Sequence, residues 1–176
     1  LRVLHWAERP DVPLLERLRY LCIVSSNLDE FFEVRAEPHL TAWRAGTDVQ
    51  GGMRNLMAAA HALVERQYAI YNEVLLPAMA TRRMRIVSHI DRTEAQRKWV
   101  REYFLREVKP LLVPVALDPA HPFPLVANKS LNFIVQLKGK DAFGRSNEIA
   151  IVKVPRVLPR VLRLPERVTG GETLFV

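Results

Sequence analysis

Cysteine occurs once in the 176 residues, as Cys22, so an internal disulfide and a thiolate metal cluster are both excluded. Cys22 lies in an apolar helical stretch and is read as a buried, inert thiol, which fits a reducing, cytoplasmic compartment. No apolar run approaches the ~18 residues that a membrane-crossing helix needs, and no signal-peptide pattern opens the chain. Only seven glycines are present. Neither G-x-G-x-x-G nor G-x-x-x-x-G-K-S/T occurs, which excludes the glycine-rich phosphate loops. The five histidines, His5, His39, His61, His89 and His121, lack the i, i+4 pairing of a helical zinc site and are read as surface or packing residues. Acidic side chains are in deficit, 19 against 26 Lys and Arg, for a net charge of +7. That surplus favours polyanionic partners without saying which. Aromatic residues do not interleave the basic stretches in the way that stacks bases, which weakens a nucleic-acid reading.

What is present is the composition of a globular protein, 49% hydrophobic and 26% charged. Leu1 to Arg9 reads as the tail of a helix. Pro10 and Pro13 break the chain, and Pro13 suits the first turn of a helix running to about Val24, with Leu14, Leu18, Leu21 and Cys22 at helical spacing. A third helix is predicted from Leu28 to about Arg44. Its apolar face is Leu28, Phe31, Phe32, Ala36, Leu40 and Trp43, and Pro38 implies a kink near Val34 to Glu37. After a polar turn at Gly46 to Gly52, a long helix over about Met53 to Arg82 keeps Leu56, Ala60, Leu63, Gln67, Ile70 and Val74 in register, with Pro77 bending it. Thr93 and Gln96 form a capping box that opens another helix, lined by Trp99, Tyr103, Phe104 and Val108 and ended by Pro110.

The character changes near Val113, where VPVALDPAHPFPLV carries four prolines, too many for a helix or a central strand. Beyond it Leu131, Phe133, Val135 and Leu137 alternate at a period of two, GKDAFGRSN reads as a loop, and Ile149 to Val154 as a returning strand. Another strand begins at Leu174 to Val176. The predicted class is therefore α+β: an all-α helical bundle over 1–112, a proline-rich linker over 113–127, and over 128–176 the start of a mixed α+β domain with antiparallel strands. Opening at Leu1 and ending inside TLFV, the chain reads as a piece of a longer protein. Arg156, Arg160, Arg163 and Arg167, spaced among apolar residues, could form an extended row that tracks a phosphate chain. A solvated edge on a proline-rich connection is the simpler reading.

The stretch SSNLDEFFEVR, residues 25–35, sets polar groups between two apolar runs. Asn27 followed by Glu30 fits N-x-x-E, a variant of the capping box, and would then need no ligand. Alternatively the Asn27 amide, which both donates and accepts, recognises a polar ligand. Asp29 and Glu30 point about 100° apart on a helix and do not make an acid/base pair. Phe31 and Phe32 are taken as core residues. Arg35 lies two turns beyond Asn27 on roughly the same side, facing phosphate, a neighbouring domain, or an ion-pair partner in Glu16 or Asp29.

Two long blocks carry a resemblance. PLLERLRYLCIVSSNLDEFFEVR, residues 13–35, closely resembles the N-terminal domain of bacterial polyphosphate kinases. LDPAHPFPLVANKSLNF, residues 117–133, resembles the passage leading into that family's second, or head, domain. The intervening helices and the GGETLFV ending also fit, so the resemblance covers nearly the whole chain. The sequence departs from the family's usual pattern at Glu33 and at Ala36 to Pro38. The resemblance implies reversible transfer of the terminal phosphoryl group of ATP to inorganic polyphosphate through a phosphohistidine. That histidine and the Mg2+ ligands belong to two later catalytic domains, so no catalytic and no metal-binding residue is expected here, and the fragment alone is expected to be inactive. The residue carried over is Asn27, the asparagine of S-N-L-D, which meets the adenine end of ATP. The implied partners are ATP, inorganic polyphosphate, the C-terminal catalytic domains of the same chain and further copies in a homo-oligomer, not nucleic acid. The implied location is cytoplasmic, with peripheral membrane association as a second setting. Two rival functions are a non-catalytic oligomerisation module and a basic nucleic-acid-binding domain.

Overall fold

The computed structural model describes residues 2–49, 51–117, 122–139 and 149–176. Pro119, His121 and the predicted loop over 140–147 lie outside the described residues. The chain is α+β and divides into two units, Leu1–Arg85 and Ile86–Val176.

In the first unit α1 (Arg2–Glu8) and α2 (Leu14–Glu30) are joined through the two prolines. Arg17 is buried at this joint, its Nε donating to the Ala7 carbonyl at 2.8 Å. A cation on the last carbonyls of α1 meets the negative end of that helix. From α2 the chain enters a π turn at Phe31–Arg35, closed by the Ala36 N–H on the Phe31 carbonyl at 2.9 Å, and continues as α3 (Glu37–Arg44). Then α4 (Gly52–Ala69) runs into a second π turn, Ile70–Leu75, and α5 (Leu76–Thr81). Asp48 caps α4, its carboxylate accepting from the Gly52 and Met53 N–H groups at 2.8 and 3.0 Å.

The second and third helices are read from sequence as ending at Val24 and starting at Leu28. They are instead one uninterrupted helix followed by the π turn. Pro38 is not a mid-helix fault but stands in the first turn of α3, where its missing N–H is tolerated. Pro77 holds the same place in α5. Each follows a π turn by two or three residues. A proline ring collides with the carbonyl four residues back in a straight α-helix, and the widened turn relieves that collision.

The core of this unit gathers Leu4 and Ala7 of α1, Leu14, Leu21 and Val24 of α2, and Ile70, Leu75 and Met79. Gln67 is buried beside it and donates to the Leu21 carbonyl at 3.1 Å and to the Ser25 hydroxyl, fastening α4 to α2. Arg66 adds a bidentate pair with Glu8 at 2.6 and 2.8 Å. Cys22 is exposed, which corrects the buried-thiol reading: it stands about 100° from Leu21, off the stripe that enters the core.

In the second unit α6 (Glu94–Tyr103) opens with the expected capping box, Gln96 N–H to Thr93 Oγ1 at 3.3 Å and Thr93 N–H to Gln96 Oε1 at 3.0 Å. It ends in a third π turn, Phe104–Val108, and a 3-10 turn, Lys109–Leu111, carrying Pro110. The sequence reading kept this helix in the first domain and placed the boundary at 113–127. Instead α6 packs within the second unit, because Gln96 also donates to the Val168 carbonyl at 3.1 Å while Trp99 and Val100 pack on Val87, Leu164 and Leu174.

The strand β1 (Met84–Ile86) is followed by Val87, whose N–H donates to the Phe175 carbonyl of β5 (Thr173–Phe175) at 2.7 Å. Three further strands form an antiparallel sheet in the order β2 (Pro114–Ala116), β4 (Ile149–Lys153), β3 (Asn132–Gln136). Ile134 pairs with Ile151 and Val115 with Ile151 across its two ladders. β2 falls where a linker was expected, and as an edge strand it tolerates Pro114.

Candidate functional site

The chemistry converges on the end of α2. A straight α-helix would leave positions 27 and 35 about 80° apart around the axis. The π turn between them takes up one extra residue and so turns the later positions back by about one residue step, roughly 100°. Arg35 is thereby brought to within roughly 20° of Asn27, on one stripe of the helix. Glu30 and Phe31, three and four residues on from Asn27, flank the same stripe.

These four residues, Asn27, Glu30, Phe31 and Arg35, line a cleft of about 220 Å³. Asn27 sits in the last turn of α2 and caps nothing, so the capping reading is overturned: there is no helix start here for its amide to serve. The helix N-terminus belongs to Leu14, thirteen residues earlier. Among the described residues, neither Asn27, Glu30 nor Arg35 makes a side-chain hydrogen bond or ion pair. Arg35 does not take Glu16, which pairs with Arg19 at 3.6 Å. The backbone leading to the cleft is fastened by Gln67, which bonds Leu21 and Ser25, six and two residues before Asn27.

Phe31 and Phe32 were expected in the core. Phe31 is instead half-buried at the cleft and Phe32 exposed, the rings meeting edge to face at 5.6 Å. Sequence reasoning attached a ligand role to Asn27 and weighed Arg35, but gave Glu30 to the cap. The i, i+3 and i, i+4 spacing from Asn27 was the available signal for Glu30 and Phe31.

Elsewhere the arginine row does not form an extended track. Arg156 donates to the Asn128 carbonyl at 2.6 Å, and a turn at Pro155–Leu158 and a 3-10 turn at Glu166–Val168 interrupt the run. Among the described residues no three His, Cys, Asp or Glu side chains gather as metal ligands, and no helix is long and apolar enough to cross a membrane.

The chain is α+β, with an open polar cleft where a helix runs into a π turn; comparisons with known proteins give its family. The polyphosphate kinase N-terminal domain matches residues 1–87, and the polyphosphate kinase middle domain matches residues 95–176. The division of the units between Arg85 and Ile86 falls two residues before the end of the first match. A polyphosphate kinase of Neisseria meningitidis serogroup A is 49% identical over 183 residues, covering 99% of this chain and 27% of that protein. A polyphosphate kinase of Pseudomonas putida is 47% identical over 184 residues, covering 100% of this chain and 25% of that protein. The crystal structure of a polyphosphate kinase from Porphyromonas gingivalis superposes with a TM-score of 0.78 at 26% identity, over 99% of this chain and 26% of that one.

The chain belongs to the polyphosphate kinase family, and it spans about a quarter of the length of the curated relatives it matches.

Proposed function

We propose that this chain is the nucleotide-binding N-terminal portion of a polyphosphate kinase, with Asn27 contacting the adenine end of ATP. The parent enzyme reversibly transfers the terminal phosphoryl group of ATP to inorganic polyphosphate through a phosphohistidine. The histidine and the Mg2+ ligands lie in catalytic domains outside these 176 residues, so the present chain positions substrate and does no chemistry alone. The setting is cytoplasmic. The observation that carries this reading is the cleft itself: an unpaired amide, off any cap, beside an aromatic ring. An amide matches the mixed donor and acceptor edge of adenine. Phosphoryl transfer depends heavily on positioning, so a contact remote from the reacting atoms still affects turnover.

In the full-length enzyme Asn27→Ala is expected to lower kcat/KM for ATP by about 5- to 150-fold, the equivalent of ~1–3 kcal/mol for a lost buried contact. Unchanged kcat and KM would remove Asn27 from the site.

A second reading, an assembly module, is favoured by the sheet of the second unit, where Phe133 is 52% and Ile134 74% exposed. Apolar side chains left open on a sheet mark interaction surfaces. Sedimentation of the chain as a dimer would support that reading, and a strict monomer at high concentration would count against it.

A further inference from the structure

Glu30 lines the cleft with Asn27 but has no part in the reading above. Resting on that reading, we propose that Glu30 determines base specificity: its carboxylate accepts the amino hydrogen on the N1 side of adenine, while the Asn27 amide serves the N7 side.

The adenine amino group carries two hydrogens, one beside N7 and one beside N1. An asparagine amide satisfies N7 and one of these hydrogens as a bidentate pair. The second hydrogen then needs a separate acceptor. Two acceptors at about 2.9 Å from one trigonal nitrogen stand about 5 Å from each other. Side chains at i and i+3 on a helix start 5–6 Å apart at Cβ, and Asn27 and Glu30 are such a pair. Both lack a hydrogen-bond partner among the described residues.

Charge points the same way. With Glu30 and Arg35 in one cleft the local charge is balanced, and a phosphate chain would meet the repulsion of the carboxylate. An uncharged, flat base meets no such penalty and finds the Phe31 ring as an apolar wall. Between the two polar partners, Glu30 is the one able to discriminate. An amide can turn by 180° and present a donor or an acceptor, whereas an ionised carboxylate only accepts. A base lacking the amino group would set the N1 lone pair against that carboxylate, acceptor against acceptor.

The test measures kcat/KM of the full-length enzyme with ATP and with purine riboside 5′-triphosphate, which carries hydrogen in place of the amino group and keeps N1 as an acceptor. The wild type should prefer ATP. Glu30→Ala removes the acceptor, so use of ATP should fall while use of the purine nucleotide holds or rises as the carboxylate no longer faces N1. The preference should narrow by about 10- to 150-fold, the worth of one hydrogen bond to a charged group. Because the preference is a ratio taken on one preparation, a partly unfolded variant does not change it. An unchanged preference, or an equal fall with both nucleotides, overturns the role of Glu30. Asn27→Ala run alongside separates the two ideas. If it leaves ATP kinetics intact, the nucleotide reading itself fails; if it impairs them while Glu30→Ala leaves the preference alone, only the specificity assignment fails.

Discussion

The two units bury their apolar side chains in different ways. The first collects eight buried residues from α1, α2 and the run from α4 to α5 into one cluster. Among the described residues the second buries three in one cluster, Val87, Leu164 and Leu174, buries Ala150 and Ile151 of β4 apart from it, and leaves Phe133, Ile134 and Val135 of its sheet substantially exposed. Helices that follow one another closely in sequence can close a core among themselves, because each offers a single stripe that its neighbour covers. A sheet presents two faces, and each needs another layer. The helical unit is therefore the better-filled scaffold, and it is the one that carries the cleft.

The sharpest way to break this contrast is to empty one side chain from each core. Leu75 is fully buried within the eight-residue cluster, so Leu75→Ala should destabilise the first unit by about 3–5 kcal/mol. Leu174 is 2% exposed but, among the described residues, has two other buried apolar residues in its cluster, so its site can collapse more readily. Leu174→Ala should cost about 2–3 kcal/mol. Denaturant unfolding, with hydrogen exchange to assign the loss to one unit or the other, measures both. Equal costs would mean that the second core is as well filled as the first, and the contrast would fail.

The same contrast governs what could be read from sequence. The long helix after Gly52, the capping box at Thr93 and Gln96, and the alternation over β3 and β4 are local patterns, and each appears where expected. Two buried glutamines show where local reading stops. Gln96 was recognisable through Thr93 three residues before it, but its bond to Val168, 72 residues on, was not, and that bond helps draw α6 into the second unit. Gln67 fell in an apolar register with no sign that it would reach across to Leu21 and Ser25, 46 and 42 residues earlier. β2 was hidden by Pro114 and the prolines that follow it, although an edge strand accepts Pro114. At the cleft, Asn27 was legible as a polar group interrupting an apolar run. The π turn was not. Polar residues between apolar runs look like a helix start, and only the continuous backbone distinguishes a π turn ahead of Pro38 from a break between helices.

The smallest expected effect is the most informative about that misreading. If Asn27 were a cap, its replacement by alanine would cost about 1 kcal/mol of stability. In the last turn of an unbroken helix, exposed and without a side-chain hydrogen bond among the described residues, the sign should reverse. Alanine is the better helix former by roughly half a kcal/mol, so Asn27→Ala should leave stability unchanged or raise it by ~0.5 kcal/mol. Denaturant midpoints of the two chains, compared at equal slope, give the difference directly. A loss of 1 kcal/mol or more would show that the amide supports the fold after all. A variant at least as stable as the wild type yet poorer with ATP would carry the signature of a side chain kept for its ligand, because helix stability gives no reason to hold an asparagine there.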